Sequence, residues 1–187
     1  MRLFVAIELS EEVRETIAAL IHELKSLDEP WKWTRAENLH VTLKFLSEVS
    51  PEKLDGIVAV LKQVPFARAL ALKFRGLGFF PNDRRPRVLW TGIDAPPDLP
   101  ALAKSIEDAL ENAGIPKEDR LFTPHLTLAR SKEGHIAPKL HDAFTKYASS
   151  DFGTVTTSEF HLIRSEVKST GAEYTTLASF SCRANSA

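Results

Sequence analysis

Two stretches decide how this chain is read: LHVTLKFL at residues 39–46 and PHLTLARS at residues 124–131. Both carry His, an apolar residue, Thr and Leu in succession, at His40 to Leu43 and at His125 to Leu128. With this composition, two such matches arise by chance roughly 0.3% of the time. β-Branched and apolar residues dominate both stretches, which predicts strands. Residues two apart on a strand share a face, so His40 projects with Thr42 and His125 with Thr127. Val41 and Leu43, and Leu126 and Leu128, then anchor the opposite face. Each strand offers one imidazole and one hydroxyl on an apolar mounting.

The surrounding chain has the make-up of a globular protein. Of its 187 residues, 43% are hydrophobic and 26% charged, which suits one unit spanning residues 1–187 rather than two separate domains. The net charge of −1 excludes a global positive field that would recruit nucleic acid, so any basic site has to be local. A single cysteine, Cys182, excludes an internal disulfide framework. No apolar run approaches the roughly 18 residues a membrane-spanning helix requires. The expected setting is therefore cytoplasmic, with no membrane partner and a monomer as the default.

Hydrophobic patterning outlines the elements. Arg2 to Ile7 reads as a buried strand, and Ser10 caps an amphipathic helix bearing Val13, Ile17, Leu20, Ile21 and Leu24. WKWT and HVTLKFL follow as strands, and Pro51 opens a helix that Pro65 closes. ALALKFRGLGFF is a long strand with a bulge expected at Gly76 or Gly78. PNDRRP turns into the strand RVLWTGI. The helix ALAKSIEDALENAG ends at Gly114, placed to cap it. RLFTPHLTLAR is a strand, PKLHDAFTKYA a helix, TVTTSEFHLIRSEV one strand and EYTTLASFSCR the last. Strand, helix, strand, strand thus follows each motif, and a doubled architecture accompanies the doubled motif.

Two histidines and two threonines facing each other across a cleft suit phosphodiester cleavage. One imidazole can take a proton from the nucleophile while the other gives one to the leaving group. The hydroxyls can donate to non-bridging phosphate oxygens. Two limbs near neutrality are expected in the pH profile. A metal site is the competing use of paired histidines, but neither strand carries a nearby carboxylate or cysteine on the same face as a third ligand. A binding module that holds a nucleotide or RNA end without turnover is the other alternative, although binding alone needs no pair of titratable groups.

HVTL and HLTL resemble the paired His-x-Thr-x motifs of the 2H phosphoesterase superfamily. MRLFVAIEL, ENLHVTLKFLSEV, GLGFFPNDRRPRVLWTGI, FTPHLTLAR and EYTTL are similar, more closely, to the bacterial and archaeal RNA 2′,3′-cyclic phosphodiesterases, also called 2′-5′ RNA ligases. The likeness runs from Met1 to about Phe180. Ser47 departs from it: a glycine is expected after KFL, in what reads as a turn.

The resemblance implies an α+β fold of two interlocked lobes about a pseudo-twofold axis, with two antiparallel sheets flanked by helices around a central cleft. It implies hydrolysis of terminal 2′,3′-cyclic phosphate on RNA to a 2′-phosphate, with ligation through a 2′-5′ bond as an added reaction, and no cofactor or metal. RNA with 2′,3′-cyclic phosphate or 2′-phosphate ends, or small nucleotides, would be the partners. His40 would be the proton donor and His125 the acceptor, an assignment two nearly identical motifs cannot make on their own. Thr42, Thr127 and Arg130 would hold the phosphate. Strict alternation puts Arg130 on the face opposite His125, so it reaches the site only through a bulge, a twist or the strand's end. Local positive charge is available from Lys32, Arg35, Lys44 and the Arg84, Arg85, Arg87 cluster, and Trp33, Phe45 and Phe80 are available for base stacking. His22, His135, His141 and His161 lack the threonine and read as surface or structural.

Overall fold

A computed structural model describes residues 1–27, 31–132, 134–169 and 171–183. Nine strands and four helices alternate along them: β1 (Arg2–Glu8), α1 (Glu11–Lys25), β2 (Lys32–Trp33), β3 (His40–Glu48), α2 (Leu54–Leu61), β4 (Leu70–Phe80), β5 (Val88–Asp94), α3 (Asp98–Asn112), β6 (His125–Arg130), α4 (Pro138–Tyr147), β7 (Asp151–Thr157), β8 (Glu159–Lys168) and β9 (Gly171–Ser181). The strands form two antiparallel sheets, ordered β3-β1-β8-β9 and β2-β6-β5-β4-β7.

Local chemistry sets the helix ends. Ser10 Oγ accepts from the Val13 amide at the start of α1, as its place before an amphipathic run predicts. Gly114 follows α3 at φ 76, and the amides of Gly114 and Ile115 close back on Glu111 and Leu110, the paired bonds of a left-handed helix stop.

Two stretches depart from expectation. TVTTSEFHLIRSEV is two strands, not one: Thr157 Oγ1 donates to the Glu159 carbonyl around Ser158, and the chain leaves one sheet as β7 and enters the other as β8. Ser47 lies inside β3 rather than in a turn, at φ 60, the left-handed region that favours glycine. The expectation of glycine there is thus met by the backbone and not by the side chain.

The units β1-α1-β3 and β5-α3-β6 share a plan. Each runs out along one strand, over a 15-residue helix and back antiparallel along a motif strand. The helices exchange sides. α1 lies against β7 of the five-stranded sheet, where a Cβ on Gly153 would come within 2.9 Å of Val13, and α3 lies against β3 of the four-stranded sheet. One continuous core, from Leu3 and Val5 through Ile57 and Phe74 to Leu126 and Phe160, fills the space behind both sheets. Burying such apolar surface is the main force locking the two halves together.

Both motif strands bulge at the same place. In β3, Ala6 pairs with Thr42 and Val5 with Lys44, leaving Leu43 extra; in β6, Trp90 pairs with Thr127 and Leu89 with Ala129, leaving Leu128 extra. A bulge inverts the alternation beyond it. Lys44 therefore turns inward, 3% exposed, with Nζ donating to Glu107 at 3.0 Å and to the Pro116 carbonyl at 2.9 Å. Glu107 also accepts from the Glu118 amide, and Glu118 from the amide of Phe45. This clamp ties the loop leading to His125 onto the strand that carries His40. Lys44→Met leaves the carbonyl and carboxylate without their buried donor, so chemical denaturation should show a loss of about 2 kcal/mol. Unchanged stability would mean the clamp holds nothing in place.

Candidate active site

The open faces of the two sheets meet at a cleft of ≈ 480 Å³ lined by His40, Thr42, His125, Thr127 and Arg130, with Lys32, Phe4, Phe45 and Tyr174 among its other walls. All five residues named from the sequence as site residues therefore converge on one space. Arg130 gets there by the bulge at Leu128, which returns it to the face of His125 and Thr127. The corresponding bulge in β3 brings Phe45 to the cleft, half exposed at 50%. Counting five residues on from each histidine, one lobe thus offers a guanidinium and the other a phenyl ring.

The two imidazoles are held alike. Nδ1 of His40 donates to the carbonyl of Asn38 at 2.7 Å, and Nδ1 of His125 donates to that of Thr123 at 2.7 Å. A carbonyl can only accept, so each ring carries its proton on Nδ1 and leaves Nε2 free for chemistry. Residues that no motif announces brace the backbone around these bonds. Asn38 is buried and donates to the Ala172 carbonyl at 2.8 Å, while Arg14 binds the Ala36 carbonyl at 2.7 Å in the turn before His40. On the other side Thr34 donates to the Thr127 carbonyl at 3.2 Å.

Ring contacts orient the imidazoles further. Phe4 lies 4.7 Å from the His40 ring and Tyr174 meets it edge-on at 5.2 Å. Phe80 meets His125 edge-on at 5.0 Å. These neighbours desolvate the rings. Burial, partly offset by the bond to Asn38 and reinforced by Arg130, drives the pKa of His40 down from 6.5 to about 4. Burial likewise lowers that of His125, again against its carbonyl bond and with Arg130 adding to the effect. Both rings are therefore neutral at pH 7. That moves the expected titration away from neutrality toward acid.

The remaining basic and aromatic residues named from the sequence divide. Lys32 lines the cleft, whereas Lys44 is turned into the clamp. Arg35 bridges to Glu37 at 3.7 Å and packs over Gly171. Arg84 borders a separate depression with His135 and His141, the amides of Arg84 and Arg85 both reach Asn82, and Arg87 donates to the Lys132 carbonyl. Arg84, Arg85 and Arg87 are thus not among the residues that line the cleft. Trp33 packs on the core, and Phe45 and Phe80 stand at the site. His161 is buried against Ser179, and His22, His135 and His141 are exposed. Among the described residues, no three His, Cys, Asp or Glu side chains gather where they could hold a metal ion.

Comparison with known proteins gives the arrangement its relatives. The model of the LigT-like phosphoesterases matches residues 7–90 and 93–174. An RNA 2′,3′-cyclic phosphodiesterase of Archaeoglobus fulgidus is 37% identical over 180 residues, covering 96% of this chain and 99% of its own. One of Thermus thermophilus is 37% identical over 193 residues, covering 98% of this chain and 91% of its own. Among solved structures, a Thermus thermophilus protein superposes with a TM-score of 0.82 at 32% identity, covering 99% of this chain and 100% of that one. Escherichia coli LigT complexed with 3′-AMP superposes with a TM-score of 0.78 at 30% identity, covering 97% of each. Matched along nearly its whole length in sequence and in fold, the chain belongs to the LigT-like phosphoesterases of the 2H phosphoesterase superfamily.

Proposed function

We propose that the cleft hydrolyses the terminal 2′,3′-cyclic phosphate of RNA to a 2′-phosphate, by acid and base catalysis between His125 and His40. The observation that carries this reading is the mirrored pair of imidazoles, each tied by Nδ1 at 2.7 Å to a backbone carbonyl and each with Nε2 left for the shared cleft. The relatives called RNA 2′,3′-cyclic phosphodiesterases support the substrate.

In the proposed step, Nε2 of His125 takes a proton from water as its oxygen bonds to phosphorus. The P–O3′ bond breaks, and Nε2–H of His40 gives its proton to the departing 3′-oxygen. One water is consumed, and a 2′-phosphate and a 3′-hydroxyl are left. Thr42 and Thr127 donate to the non-bridging oxygens, and Arg130 holds their charge through the transition state. An anionic phosphodiester between the rings counteracts their desolvation and raises the pKa of His40, so that this ring carries the proton it gives.

The test is turnover of an oligonucleotide ending in a 2′,3′-cyclic phosphate, in EDTA, with identification of the product. A 2′-phosphate product with no loss on chelation is expected. No turnover removes the enzymatic reading and leaves a binding cleft; a chelator-sensitive rate means that a metal takes part.

A further inference from the structure

The open face of the five-stranded sheet continues well past the cleft. Pairing carries it from His125 on β6 to Gly92 on β5 and on to Arg75 on β4, and in the next row from Thr127 to Trp90 and Gly78. Directly opposed residues of antiparallel strands share a face. The alternation agrees: in β5, Val88, Trp90 and Gly92 are half-buried while Leu89, Thr91 and Ile93 are buried, and in β4 Arg75 is exposed.

Two glycines shape this surface. A Cβ on Gly78 would lie 2.0 Å from the Trp90 ring, so the indole lies down across Gly78 instead of standing up from the sheet. Gly92 leaves a floor without side chains between His125 and Arg75, where a Cβ would come within 2.9 Å of the Arg75 carbonyl oxygen. Phe80 extends the aromatic surface, its ring 5.1 Å from that of Trp90 and 5.0 Å from His125. Beyond the floor, Arg75 Nε donates to the Ser149 carbonyl at 3.4 Å. The nearby Asp151 is paired with Lys73 at 2.8 Å, which offsets the acid beside Arg75. Asp94 lies opposite Lys73, beyond this row. Two strand spacings, about 10 Å, separate the backbones of His125 and Arg75.

An aromatic pair on a sheet, its rings inclined at 35°, with a guanidinium past a floor that lacks side chains, is the chemistry that receives single-stranded nucleic acid: ring faces take bases and the cation takes a phosphate. Cleavage of a cyclic mononucleotide needs Phe80 beside His125 but has no use for Arg75 or for the floor that leads to it. We propose that the RNA strand on the 5′ side of the reacting nucleotide lies over this face, with a base on Trp90 and Phe80 and a backbone phosphate at Arg75. The protein then selects oligonucleotide ends over cyclic mononucleotides. This assignment rests on the activity proposed above.

The test compares a 2′,3′-cyclic-phosphate-ended trinucleotide with a cyclic mononucleotide, for the wild type and for Arg75→Gln, at 50 and 200 mM salt. The wild type should favour the trinucleotide by tenfold or more, and an abasic residue at its penultimate position should cost on the order of tenfold. Arg75→Gln should lower kcat/KM on the trinucleotide several-fold and flatten its log-log salt slope by about 0.7, the value for one phosphate contact on a single strand. Its rate on the mononucleotide should stay the same. An unchanged salt slope, or an equal loss on both substrates, overturns the assignment. If the wild type turns over neither substrate, the activity fails and the surface is still tested, by anisotropy binding of a 2′-phosphate-ended trinucleotide. Weaker binding by Arg75→Gln supports the track, and equal binding removes it.

Discussion

His40→Ala and His125→Ala are each expected to lower kcat on a 2′,3′-cyclic-phosphate-ended oligonucleotide by about 10²–10⁴-fold, the usual contribution of a positioned acid or base. Binding of a 2′-phosphate-ended product should change far less, because Thr42, Thr127 and Arg130 still line the cleft. The double variant should be only slightly worse than either single one, since groups acting in one step lose their effect together. The two variants should differ in stability. Removing the His40 imidazole empties space against Phe4 and Tyr174, whereas His125 packs against Phe80 on the wider open face. Full activity in either variant, or two losses that multiply in the double variant, would exclude the two-histidine mechanism.

The pH dependence carries the second large effect. kcat/KM reports groups of the free protein, and both imidazoles are pushed below their ordinary value there, His40 to about 4. One ring has to be charged and the other neutral, so the kcat/KM profile should be a bell on the acid side of 6.5, its acid limb reaching toward 4. The kcat profile should lie at higher pH, because a bound phosphate anion raises both rings. A kcat/KM maximum above pH 7 would contradict the burial of these rings.

Stability follows the same shift. The unfolded chain binds a proton at His40 near pH 6.5 and the folded chain only near 4, so protonation favours unfolding between those values. The contribution is fully present above 6.5 and lost as pH falls toward 4, by about 3 kcal/mol. In His40→Phe, the slope of unfolding free energy against pH across that window should fall by close to one proton. An unaltered slope would mean that His40 is not desolvated.

Much of this was legible because it is local. Ser10 before an amphipathic run and Gly114 after one mark helix ends through bonds made within a few residues. The period of two in HVTL and HLTL puts His and Thr on one side of each strand wherever those strands end up. The same period put Arg130 on the face opposite His125 unless a bulge intervened, and nothing local in the sequence showed that Lys44, available there as positive charge, turns inward. Leu43 and Leu128 are ordinary strand residues, and what makes them bulge is their pairing with β1 and β5, which no local pattern records. The split of β7 from β8 escaped for a similar reason. Both halves are good strand sequence, and only their assignment to different sheets separates them at Ser158.

The chemistry on offer is written in the residues alone: two imidazoles and two hydroxyls on apolar strands, in a nearly balanced charge background. Tertiary structure decided what that chemistry meets. Exchange of α1 and α3 between the sheets, and the burial that drives it, brought the two motifs to one cleft. The Asn38 and Thr123 carbonyls chose the nitrogen that faces it, and the aromatic walls chose the pKa. Orientation, desolvation and proximity are relations between distant residues, so they arise only when the chain has closed on itself.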